Sequence, residues 1–103
     1  MNKDLTKIIS HYGVNAQQRQ LAEEVFELQE AITQYETITD SGLFRSSDEC
    51  EAKENIVEKI ADVLNLIEQF MCYYNIDFDR YVLGIKHQKV ARQLERIKNE
   101  VKE

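Results

Sequence analysis

The sequence predicts an all-α chain. Proline is absent and glycine occurs only three times, the composition is dominated by Glu, Lys, Gln, Leu, Ile and Ala, and apolar residues recur at alternating three- and four-residue steps. A sheet would need more turn punctuation than this chain offers. With 103 residues the chain has the size of one domain, residues 1–103, with a single core. A helical bundle this small gains by burying a face in a homo-oligomer.

About four helices are expected. Asp4 can cap a short first helix ending near Gly13, and Asn15 can cap a second that runs from about Ala16 to Ile38. Thr39-Asp40-Ser41-Gly42 reads as a turn and Arg45-Ser46-Ser47-Asp48 as a loop, with Ser46 and Glu49 spaced as a capping box. The third helix then reaches about Tyr74. Asn75-Ile76-Asp77 breaks it, and Asp77 caps a fourth helix from Phe78 nearly to the end. Gly84 inside that helix predicts a kink or a close helix contact.

Leu21, Val25, Leu28, Ile32 and Tyr35 form one apolar stripe, and Ile56, Ile60, Val63, Ile67 and Phe70 a second. Leu83, His87, Val90, Leu94, Ile97 and Val101 form a third, so three long helices are expected to pack together. His87 in that seam reads as a packed, hydrogen-bonded histidine, and His11 as a cation at the first helix's C-terminus. Cys50 and Cys72 have neither metal-type nor redox-type spacing and read as reduced thiols, with Cys72 buried.

The formal net charge is −6, which argues against nucleic acid as a partner. The charge is unevenly divided. Residues 1–79 hold 6 basic and 16 acidic side chains, a balance of −10, whereas residues 80–103 hold 7 basic and 3 acidic, a balance of +4. Lys89, Arg92 and Arg96 fall within about 60° of one another on the last helix and form a candidate phosphate-binding face. The N-terminal MNKDLTKIIS lacks the apolar run of a signal peptide, and no segment approaches the roughly 18 residues that span a bilayer. The expectation is a cytoplasmic protein with no membrane partner.

The most informative feature is an internal repeat. Residues 21–32, LAEEVFELQEAI, align with residues 56–67, IVEKIADVLNLI. Apolar positions coincide at Leu21/Ile56, Val25/Ile60, Leu28/Val63 and Ile32/Ile67, and acidic ones at Glu23/Glu58 and Glu27/Asp62. Glu24 stands opposite Lys59. At about 100° per residue, Glu24 and Glu27 lie roughly 60° and 120° to one side of their stripe, and Asp62 takes the matching angle on the third helix. If the two helices pack antiparallel, the carboxylates of Glu24, Glu27 and Asp62 converge, with Glu58 near Asp62 one turn earlier. Converging carboxylates repel unless a cation neutralises them, which points to a hard divalent ion, Mg²⁺ or Mn²⁺. Glu30, Glu36, Glu51 and Glu54 read instead as a solvated outer face.

Glu23-Glu24-Val25-Phe26-Glu27 resembles the E-E-x-x-E half of the MazG-like nucleotide pyrophosphohydrolase signature, from the all-α NTP pyrophosphatase superfamily. Asp62 in Lys59-Ile60-Ala61-Asp62 matches the end of its E-x-x-D half, and the resemblance covers roughly residues 16–98. It implies a MazG-like bundle that assembles as a homodimer or homotetramer and cleaves nucleoside triphosphates between the α- and β-phosphates, giving a monophosphate and pyrophosphate with Mg²⁺. In that reading Glu24, Glu27 and Asp62 ligate metal, and Glu23 or Glu58 acts as accessory ligand or water-orienting base. Lys59, Lys89, Arg92 and Arg96 face the substrate phosphates. The departure is Lys59, which stands where the family has an acid and cannot ligate Mg²⁺. Lysine there suits either a direct phosphate contact or a relative that binds nucleotide without hydrolysing it.

Overall fold

The computed structural model describes residues 2–101, and among them it contains four α-helices, one π-helical segment and no strand. The helices are α1, Lys3–Tyr12; α2, Val14–Ser41; α3, Ser46–Tyr73; and α4, Leu83–Val101. Among the described residues no helix is long and apolar enough to cross a membrane. The chain divides into two compact units at Tyr73–Tyr74.

In the first unit, local chemistry sets the helix ends one or two residues away from the sequence expectation. Asn2, not Asp4, caps α1, its side-chain oxygen accepting from the Asp4 and Leu5 N–H groups. Gly13 closes α1 at φ +90°, donating to the Ile9 carbonyl at 2.8 Å. A side chain disfavours that conformation, so glycine suits the corner. From there α2 starts at Val14 with no side-chain cap, and Asn15 is already helical. At its other end α2 continues through the expected turn to Ser41. The Thr39 hydroxyl donates to the Tyr35 and Glu36 carbonyls and the Ser41 hydroxyl to Ile38, so these residues satisfy themselves within the helix. Gly42, left-handed at φ +66°, then ends it. The α3 start is capped from inside: Asp48 reaches back to accept from the Arg45 N–H at 2.9 Å, in place of a Ser46–Glu49 capping box.

Helices α2 and α3 run antiparallel, since Gln17 meets Gln69 at one end while Glu27 meets Lys59 further along. Their contact is rotated by one residue from the expected stripes. On α2 the buried positions are Gln17, Ala31 and Ile38, with Leu21, Glu24, Leu28 and Tyr35 half-buried between them. On α3 they are Ala52, Leu66 and Gln69, with Ile56, Lys59, Val63 and Phe70 half-buried. The four-three spacing is therefore kept, but it threads polar residues. Val25, Ile32, Ile60 and Ile67, expected in the core, are exposed. The repeat's exchange of α2 with α3 carries Val25 onto Ile60 and Ile32 onto Ile67, so these four line one flank of the helix pair. Helix α1 packs on both, burying Ile9 completely, and Cys72 is only half-buried.

In the second unit Asn75, at φ +58°, turns the chain after α3, and Asp77 caps the next helix by accepting from the Arg80 N–H at 3.1 Å. Its first turn, Phe78–Val82, is π-helical before α4 begins at Leu83. The irregularity thus precedes Gly84, where an added Cβ would meet nothing within 4 Å among the described residues. Within this unit His87, expected in an apolar seam, is exposed, as are Val90, Leu94, Ile97 and Val101.

Neighbouring α3 residues test the rotated contact. Leu66 is 4% exposed and Ile67 41%. Leu66→Ala is expected to lower the unfolding free energy by about 2–5 kcal/mol in a urea titration, and Ile67→Ala by about 1 kcal/mol or less at the same dilute protein concentration. Equal losses would place the seam where the apolar stripe alone suggested.

Candidate functional site: an acidic cluster holding a lysine

The contact of α2 with α3 brings together Glu24 and Glu27 from one helix and Lys59 and Asp62 from the other. Lys59 Nζ donates to Glu27 Oε2 at 2.8 Å and lies 3.9 Å from Asp62 Oδ2. Among the described residues the ion pairs are those of Lys59, in a chain rich in charge. The internal repeat accounts for the arrangement. Exchange of the two helices carries Glu27 onto Asp62 and Lys59 onto Glu24. Three of the four equivalent positions are acidic and the fourth is lysine.

Each carboxylate experiences a different environment. Burial raises the Glu24 pKa, and the charges of Glu27 and Asp62 add to that, while a hydrogen bond from Gln20 and the Lys59 charge oppose it. Gln20 Nε2 donates to Glu24 Oε1 at 2.9 Å, but Glu24 Oε2 is buried without a hydrogen-bond partner. The hydrogen bond from Lys59, then its charge, lowers the Glu27 pKa, and the same bond raises that of Lys59. Both side chains keep solvent contact, 42% for Glu27 and 25% for Lys59, so the pair is screened.

The other candidates form none of these contacts among the described residues. Glu23 is exposed, and Glu58 lines an open depression of about 560 Å³ with Asp48, Glu51 and Glu54. Lys89, Arg92 and Arg96 are exposed on α4 in the second unit. Sequence reasoning overlooked Gln20 and the buried Gln17–Gln69 hydrogen bond of 2.8 Å, in which Gln69 also donates to Asn65. Two signals could have found them: Gln20 stands four residues before Glu24, and Gln17, Glu24, Ala31 and Ile38 repeat every seven residues.

As the side chains stand, no three His, Cys, Asp or Glu residues among those described are grouped to hold a metal ion. The carboxylates of Glu24, Glu27 and Asp62 are hard oxygen donors of the kind a divalent cation takes, and one carboxylate oxygen of Glu24 is buried and unpartnered among the described residues. The ammonium of Lys59 now supplies the positive charge among them. Comparison with protein-family models, characterised proteins and solved structures finds no match to the chain.

The raised Glu24 pKa has a defined consequence for stability. A carboxyl whose pKa is higher folded than unfolded destabilises the fold once pH rises above the unfolded value. Glu24→Gln is therefore expected to raise Tm slightly at pH 7, solvent screening keeping the gain small, and the gain to disappear near pH 3. A thermal melt series across that range checks it, and a lower Tm for the variant at pH 7 would contradict it.

Proposed function

We propose that the protein is a Mg²⁺-dependent, MazG-like nucleoside triphosphate pyrophosphohydrolase. Water is added across the α–β phosphoanhydride bond, and the products are a nucleoside monophosphate and pyrophosphate. The observation that supports the reading is that Glu27 and Asp62, at positions where the E-E-x-x-E and E-x-x-D halves of that signature fall, lie 2.8 Å and 3.9 Å from one ammonium across the α2–α3 contact. Glu24, Glu27 and Asp62 would hold the ion, with Mn²⁺ as a substitute. The chemistry that such an ion supplies is neutralisation of phosphate charge and a lowered pKa for a bound water. Glu23 and Glu58, exposed on the outer faces, are the candidates to orient that water. On α4, Lys89, Arg92 and Arg96 offer a cationic face to phosphate oxygens.

The placement of Lys59 favours a second reading, a nucleotide-binding relative that does not hydrolyse. Its ammonium already bonds Glu27 and approaches Asp62. Assembly belongs to either reading. The exposed flank of Val25, Ile32, Ile60 and Ile67 would be covered in a homodimer or homotetramer.

Pyrophosphate release from a panel of NTPs and dNTPs, with and without Mg²⁺, separates the readings. The hydrolase reading expects Mg²⁺-dependent release that Asp62→Asn reduces by about 10²-fold or more while helicity stays intact. Nucleotide-induced thermal stabilisation without release would favour the silent relative. Arg92→Ala or Arg96→Ala is expected to weaken nucleotide binding more than Lys98→Ala, and equal effects would leave the helix only a diffuse charge. Light scattering at micromolar concentration is expected to give a multiple of the chain mass, and a monomeric mass would remove the oligomer.

A further inference from the structure

The position of Lys59 shows more than the loss of a motif acid. A lysine on a helix surface has a flexible four-carbon stem and ordinarily reaches solvent. Here Nζ turns into the α2–α3 contact, 2.8 Å from one carboxylate and 3.9 Å from a second, with Glu24 near enough to act on it electrostatically. The position is the repeat-equivalent of Glu24 itself. The cluster thus carries three negative charges and one positive charge within its own side chains, and no other cation is paired with it among the described residues.

We infer that Lys59 is a built-in cation: its ammonium occupies the acidic cluster in the metal-free chain, holds α2 against α3, and must withdraw before the carboxylates can take a divalent ion. The inference rests on the metal reading given above and adds a condition to it. Two cations compete for one set of oxygens. A tethered ammonium is present at every Mg²⁺ concentration, so it sets a threshold that a site of carboxylates alone would not have. The lysine stem also gives the displaced group somewhere to go, because Lys59 retains solvent contact and can swing outward without disturbing the helix. Glu24 Oε2, buried and unpartnered, is the oxygen that this ammonium leaves unsatisfied.

Calorimetric titration of Mg²⁺ and Mn²⁺ into wild type, Lys59→Met and Lys59→Arg tests this, with thermal melts of each protein in chelator and in saturating Mg²⁺. Lys59→Met is expected to bind Mg²⁺ roughly tenfold or more tightly than wild type, and Lys59→Arg, which keeps the charge, is expected to bind as weakly as wild type. In chelator Lys59→Met should melt below wild type, and Mg²⁺ should restore it while moving the wild-type Tm little. If Lys59→Met does not fold in chelator, recovery of its helical circular dichroism on adding Mg²⁺ supports the inference, and failure to recover overturns it. Equal, measurable Mg²⁺ affinity in wild type and Lys59→Met overturns the built-in cation and leaves the metal reading standing. Equally tight binding by Lys59→Arg and Lys59→Met would also overturn it, since charge would not be the cause. Absence of Mg²⁺ binding in all three proteins removes the metal reading and the inference together.

Discussion

Two long acidic helices meet here with a single ammonium set among the acids that face it. Glu24, Glu27 and Asp62 would repel across the α2–α3 seam, and the Lys59 ammonium stands among them, 2.8 Å from Glu27. Solvent screening makes one exposed ion pair a weak contributor to stability. The pair lies within the internal repeat, where Glu27 and Lys59 join the two repeated helices. At the far end the buried Gln17–Gln69 hydrogen bond satisfies two amides that would otherwise be costly to bury.

That polar seam determines where the apolar surface goes. A helix has one face toward its partner, and in α2 and α3 that face is shared by Gln17, Glu24, Lys59 and Gln69 with Ala31, Ile38, Ala52 and Leu66. Val25, Ile32, Ile60 and Ile67 are displaced to an exposed flank. The opposite flank carries Gln20, Glu27, Gln34, Asn55 and Asp62. The helix pair therefore has one apolar and one polar side, and the proposed assembly and the proposed chemistry concern different surfaces.

Chemically, the cluster is a set of hard oxygen donors whose present counter-ion is organic. Ammonium and divalent metal are alternatives for the same negative potential, but their chemistry differs. An ammonium donates hydrogen bonds and neutralises; a divalent ion also polarises water and bridges phosphate oxygens. The proposed pyrophosphohydrolase and its silent alternative differ in which of the two cations the site holds when nucleotide is present.

Helix content and the pairing of two repeated helices were legible in the sequence, because propensity, the lack of proline and the four-three spacing act locally and need no knowledge of neighbours. The repeat likewise sets Glu27 and Asp62 at matching angles beside that pairing, where both face Lys59. Helix ends were less legible: Asn2, Asp48, Thr39 and Ser41 are decided by hydrogen bonds whose partners several spacings could supply. The rotation of the seam lay beyond periodicity. Leu21, Val25, Leu28 and Ile32 form a stripe wide enough to present either edge, and burial favours the apolar edge on each helix taken alone. Only the tertiary structure pairs Gln17 with Gln69 and Glu27 with Lys59, because the contacts that satisfy those polar groups join residues far apart in the chain. From the sequence alone Lys59 was a missing ligand; its fold makes it the cation among three acids.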